Sequence, residues 1–348
     1  MGLVRYADGD IVNDTQRLGT STWFNNTNKL IGATMHESPT QNANATTPGA
    51  TALGSHYINL YYNNSVSSSE FSVSYGHIAG SGSRDYTTGV GGHGYSPSKV
   101  IYNQYRQLVF GDEQSKFSFN GYIPDHIYVI NVNRSRYKHN LKPSTMNMTL
   151  KIAATAAQTY TDDSITTSGS ATLTNAGRQF HVVEGVSGVM SGTNLSQASG
   201  NATGCYGLFY PDSGFMVLNP DALFINHGSN AALSPAVTPN LTANNNHQEL
   251  VDALQLGNSF ILDSEEKVSS QYYFTRARNS EFNYTTNPSF VDINASVNIA
   301  SFIDNPTTYI TTVGLYNDSG DLVAVAKLSQ PVTKDFTKEA LIRVKLDY

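Results

Sequence analysis

From residue 56 onward, short apolar runs alternate with polar turns. "HYINLYY" and "EFSVSYGHI" are aromatic, β-branched runs separated by "NNSVSSS", which predicts a strand pair. "FSFNGYIPDHIYVINVNRSRY" alternates in the same way, with a turn at "NGYIPD". "TMNMTLKIAATA" and "RQFHVVEGV" predict further strands, and "TYTDDSITTSG" reads as a polar turn region. "GCYGLFYPDSGFMVLNP" predicts a hairpin around Pro211–Gly214, where Pro, Asp and Gly supply the turn geometry. "TTYITTVGLYNDSGDLVAVAKL" predicts a second hairpin, and "ALIRVKLDY" a last strand.

Two stretches change the period. In "SPSKVIYNQYRQLVFG", Ile101, Tyr105 and Leu108 recur at helical spacing. Ser96 can cap the free amides there, Pro97 suits the first helical position, and Gly111 can end the helix. "NHQELVDALQLG" is the second helix, with Asn246 and Glu249 at capping-box-like spacing and Gly257 at its end. "PDALF" starts a short third one. The pattern predicts a mainly β fold, β-sandwich-like or mixed α+β, with two or three short helices.

The first 55 residues are polar and weakly patterned. "HESPTQNANATTPGATALGS" has few large apolar groups, so residues 1–55 are expected to form an extended N-terminal arm. Residues 56–265 then form a mixed β-rich domain carrying the helix near 97–110. Residues 266–348 form a C-terminal β region ending in the hairpin, and the last two regions are also readable as one domain.

Composition narrows the function classes. Charged residues make up 14% of the chain, below the roughly 25% of ordinary globular domains. Asn, Ser, Thr, Gly and Tyr fill the gap, which suits extensive contact surfaces. A net charge of -6 argues against nucleic acid, whose phosphates need clustered Lys and Arg. "NVNRSRYKHNLK" is the one basic cluster and reads as a solvated strand end. The single cysteine, Cys205, allows no intrachain disulfide. The N-terminus carries no apolar signal core, so synthesis in a reducing cytoplasm is expected, and no run is long enough to span a membrane.

Few residue patterns in the chain point to chemistry. "GVGGHG" matches G-x-G-x-x-G, but no buried strand precedes it, so a Gly-rich loop is the better reading than a dinucleotide site. The nine histidines form no close ligand pair; His77 and His93 flank the Gly-rich loop and are the pair to test for a shared metal. Cys205 reads as a small buried residue. The Asp162–Asp163 pair reads as a solvated turn rather than as half of a glycosidase site. No enzyme activity, cofactor or metal is expected.

Five segments carry a resemblance: "SPSKVIYNQYRQLVFG", "DHIYVINVNRSRYKHNLKPSTMNMTL", "YGLFYPDSGFMVLNPDAL", "YYFTRARNSEFNYTTNPSF" and the stretch from "NPTTYITTVGLYNDSGDLVAVAKL" to the end. Together they resemble virion structural proteins of large contractile-tailed bacteriophages, notably those infecting cyanobacteria. The last segment is the most specific and is also similar to parts of tail-fibre and baseplate attachment proteins. The resemblance implies a tail baseplate or baseplate-proximal subunit of the virion, present in several copies and binding other tail subunits. It carries no catalytic residues. The alternatives are a receptor- or glycan-binding tail adaptor and a neck or collar component.

Within the last hairpin, Val313, Leu315, Val323 and Val325 are read as the ladder facing the subunit core. Gly314, Tyr316 and Ala324 are read as the opposite face, with residues small enough for a neighbouring subunit to approach. An ordinary hairpin, covered on both faces within the chain, is the other reading.

Overall fold

A computed structural model describes residues 4–37, 57–63, 68–82, 97–152, 155–166, 171–191, 204–227, 246–285, 287–294, 296–297 and 299–348. The strands are β1 (Ile11–Ser21), β2 (Lys29–Leu30), β3 (Met35–Glu37), β4 (Tyr57–Tyr62), β5 (Ser69–His77), β6 (His126–Val132), β7 (Asn140–Leu141), β8 (Asn147–Leu150), β9 (Gln158–Asp162) and β10 (Thr172–Thr174). They continue with β11 (Gly177–Val186), β12 (Val189–Met190), β13 (Gly207–Tyr210), β14 (Phe215–Leu218), β15 (Ser259–Ile261), β16 (Asp263–Ala277), β17 (Thr308–Tyr316), β18 (Leu322–Lys334) and β19 (Ala340–Asp347). The described helices are α1 (Pro97–Phe110), α2 (Pro220–Asn226), α3 (Asn246–Gly257) and α4 (Ala300–Asp304). The fold is therefore mainly β with a few short helices. It divides into two compact units, Leu18–Glu266 and Met1–Arg17 with Lys267–Tyr348.

The larger unit is built on one antiparallel sheet in the order β2-β15-β8-β9-β11-β13-β14-β6-β5-β4-β3, with β10 and β12 also on β11. Strand β6 shows why its sequence is almost wholly apolar. Tyr128, Ile130 and Val132 point into one core and Ile127 and Val129 into another, so both faces are covered. Helix α1 closes the second core with Tyr102, Tyr105 and Val109. Helix α3 closes the first with Leu250, Val251 and Leu254. The sheet also coils around that first core. The rings of Phe260 on β15 and Phe71 on β5 lie 5.3 Å apart, and Trp23 packs on both, at 5.2 and 5.9 Å. The Trp23 indole donates to the Phe260 carbonyl at 3.2 Å.

That packing corrects the expected arm. Trp23, Leu30 and Met35 are buried core residues of the larger unit, although they sit in the weakly patterned first 55 positions. Three anchors spaced over thirteen residues give no helical or strand period, which is why the segment reads as an arm. Residues 38–56 lie outside the described residues. The helix limits expected at 97–110 and 246–257 are those observed, but α3 ends differently. The left-handed residue is Asn258, with φ 55°. Gly257 is needed because a Cβ there would lie 1.9 Å from the Thr149 carbonyl oxygen.

The smaller unit contains the strand order β1-β16-β19 and the separate hairpin β17–β18. Its core is thin: Val313, Leu315 and Val344, flanked by Tyr6, Tyr273, Ala324, Ala326, Ile342 and Leu346. A fully buried lysine helps hold it. Lys334 Nζ donates to the carbonyl oxygens of Asn279 and Asp335 at 2.9 and 3.0 Å, and to Asn283 Oδ1 at 2.8 Å. Three oxygens match the three protons of the ammonium, so the charge is solvated by the chain itself.

Candidate interaction surface

The β17–β18 register fixes what each face of the last hairpin carries. Leu315 pairs with Ala324 and Val313 with Ala326, whereas Gly314 pairs with Val325 and Thr312 with Lys327. Directly opposed residues share a face. Val313, Leu315, Ala324 and Ala326 therefore face the core of the smaller unit. The outer face carries Gly314, Val325, Thr312 and Lys327, together with Tyr316 and its partner Leu322.

The expected interface set of Gly314, Tyr316 and Ala324 is thus reassigned. Ala324 belongs to the core face. Val323 and Val325, expected inside, are 67% and 58% exposed. The cause is register: counting alternation along each strand does not fix how the two strands are phased, and a shift of one residue exchanges the faces. Here the pairing shifts between Leu315 and Tyr316, a bulge close to the turn. Gly314 also differs in role. A Cβ at Gly314 would meet the Tyr316 ring at 3.1 Å and Leu322 Cδ1 at 3.2 Å. The glycine is a bed for its own hairpin's side chains, and Tyr316 and Leu322 form the contactable surface above it. The outer face is consequently apolar at its centre, with Leu322 53% and Tyr316 39% exposed.

The outer face of the neighbouring β16–β19 pair is built differently. Arg343 and Lys345 stack on the Tyr272 ring, Arg276 pairs with Glu339 at 2.6 Å, and Lys345 pairs with Asp347 at 2.9 Å. Its charges are matched locally and suit water. The hairpin's outer face carries no such ion pairs among the described residues.

A second constellation lies in the larger unit and was not foreseen. On β5 and β6, Tyr75 opposes Tyr128 and His77 opposes His126. The first turns of α2 and α3 bring a carboxylate to each pair. Asp221 accepts from Tyr122 Oη at 2.7 Å and lies 3.1 Å from His126 Nε2. Glu249 accepts from Tyr128 Oη at 3.1 Å, which links α3 to the sheet. Burial pushes the Glu249 carboxyl from its ordinary 4.5 up to about 7, against the Tyr128 hydrogen bond. Burial would also raise Asp221, but the His126 and Tyr122 contacts hold it below the usual carboxylate range. Burial and the neighbouring His126 lower His77. The Tyr75 hydroxyl is buried with no hydrogen-bond partner among the described residues. The signal in the sequence was Tyr-x-His in "SYGH" and His-x-Tyr in "HIYV", spacings that place each pair on one strand face; only strand pairing brings the two together. What the cluster does is tie α2 and α3 to the sheet.

The remaining candidates fall into place. Asp162 is not in a solvated turn: it is fully buried at the end of β9 and accepts the Ser144 and Ser164 amides. Asp163 accepts from the His181 amide at 2.9 Å and contacts its ring at 3.1 Å. Cys205 is buried, its thiol pushed up to about 12 chiefly by burial. The basic cluster follows β6 with Arg134, Lys138 and His139 exposed; within it Arg136 pairs with buried Glu70 at 2.8 Å and Arg134 lies over the Tyr137 ring. "GVGGHG" and His93 lie outside the described residues. No group of three or more metal-ligating side chains occurs among the described residues. No helix among them is long and apolar enough to cross a membrane. Comparison with protein-family models, curated proteins and solved structures finds no match to this chain.

Proposed function

We propose that the chain is a structural subunit of a bacteriophage virion, in the tail baseplate or next to it, acting through protein–protein contacts and performing no catalytic step. The observation that carries the contact role is the outer face of β17–β18, where Tyr316, Leu322, Val323 and Val325 are exposed over a hairpin whose other face is packed. A two-stranded hairpin is marginal alone, and an apolar face of this kind gains by being covered. The setting in a contractile tail rests on the sequence resemblance of residues 96–348. In this reading the chain is made in the host cytoplasm and resides in the particle, in several copies.

The test is complementation of a phage lacking the corresponding gene. Val325→Asp should leave the purified protein's thermal melt within about 0.5 kcal/mol of wild type, as for an exposed site, yet be missing from purified particles. Normal incorporation of that variant would contradict the contact role. Absence of the wild-type chain from particles would contradict the virion assignment.

A further inference from the structure

We propose that the outer face of β17–β18 pairs with the same face of a second copy of this chain, across a two-fold axis, with the hairpins antiparallel. This rests on the reading of that face as a contact surface and commits it to one occupant.

Charges placed around the apolar centre select this occupant. Lys327 sits on the outer face opposite Thr312. Asp318 sits in the turn, two residues beyond Tyr316. Both are exposed, and neither has an ion pair or side-chain hydrogen bond among the described residues. At the turn end Asp321 is also exposed and hydrogen-bonds the neutral Asn317, which leaves its charge in place; on the neighbouring sheet Arg276 pairs with Glu339 and Lys345 with Asp347. A cation at one end, Lys327, and an acidic turn at the other, Asp318 with Asp321, therefore flank the apolar patch.

From the level of Thr312 to Tyr316, the last residue of β17, is four residues, or about 13 Å at about 3.3 Å per residue, and Asp318 lies in the turn just beyond. The midpoint between Thr312 and Asp318 falls close to Leu315–Ala324. A two-fold axis through that level brings each Lys327 over Asp318 of the second copy. It also lays Val325 over Tyr316 and Leu322 of the second copy. Both ends are matched by one operation, as an isologous interface requires. A parallel arrangement would set like charges together, which disfavours it.

The experiment is sedimentation equilibrium of the full chain at low ionic strength, with a thermal melt of each variant as the folding control. The wild type should form a concentration-dependent dimer. Lys327→Asp and Asp318→Lys should each weaken it by about tenfold or more, because each reversal acts twice across the axis. The double variant Lys327→Asp with Asp318→Lys should return to near the wild-type affinity. Val325→Asp should be monomeric throughout. A monomeric wild type, a double variant as weak as the singles, or a dimer that survives Val325→Asp would each overturn the pairing. The outcomes separate from those of the functional reading. A monomeric wild type together with loss of Val325→Asp from particles removes the pairing and keeps the contact role. Rescue by the charge swap together with normal incorporation of Val325→Asp does the reverse.

Discussion

The Leu18–Glu266 unit buries apolar side chains on both faces of one sheet, whereas the smaller unit buries one face of its hairpin and leaves the other open. In the larger unit, Phe71, Phe209, Phe215 and Phe260 are at most 1% exposed. In the smaller, the deepest core residues Val313, Leu315 and Val344 keep 5–9% exposure, while Val323, Val325 and Leu322 stand in solvent. Fully burying a side chain of that size is worth about 1.5–3 kcal/mol. The larger unit has already realised that gain internally; on the hairpin's outer face the smaller one has not. Under the proposed contact role, the difference separates a scaffold from a surface that a partner covers.

Equivalent truncations should expose the contrast. Phe260→Ala removes the ring that joins the two ends of the coiled sheet, and should cost about 3–5 kcal/mol in urea unfolding monitored by Trp23 fluorescence. Leu315→Ala, in the thin core, should fall nearer the low end of such losses, about 2 kcal/mol, followed by hydrogen exchange of β17 and β19. A larger loss at Leu315 than at Phe260 would break the comparison.

The sequence made part of this contrast readable. Long periodic stretches such as "KVIYNQYRQLVF" and "ELVDALQLG" placed α1 and α3, because each has one buried stripe set by local spacing. The mainly β character followed from period-two runs. What depended on pairing was not legible. Ala324 and Val325 exchange faces according to the register of β18 on β17, which a bulge sets. Trp23, Leu30 and Met35 join the core through distant partners, Phe71 and Phe260 for Trp23, Phe260 for Leu30 and Tyr62 for Met35, with nothing local to announce them. The Tyr75–Tyr128 and His77–His126 block likewise exists only once β5 lies beside β6.

A smaller effect belongs to the larger unit alone. Glu249 is partly buried and titrates in the folded state near 7 rather than 4.5. Its folded pKa is raised, so the folded state favours the protonated form. The penalty is absent below about pH 4, grows as pH rises toward 7, and is constant above that. Glu249→Gln should therefore stabilise the protein at pH 8 by about 1–2 kcal/mol after allowance for solvent screening, and should change nothing at pH 4. Equal effects at both values would show that Glu249 acts by packing, without proton linkage.

The smallest effect on stability, and the most direct probe of the contact role, comes from one engineered thiol. Cys205 is fully buried and its thiol is held protonated, so it should resist a maleimide reagent. Val325→Cys adds a thiol on the open face of the hairpin. Its modification rate is to be measured on dilute free protein and again on purified particles containing the variant. The account predicts rapid labelling of the free protein and strong protection in the particle. Equal rates in the two states would mean that this face stays open after assembly, and the hairpin would not be the contact surface.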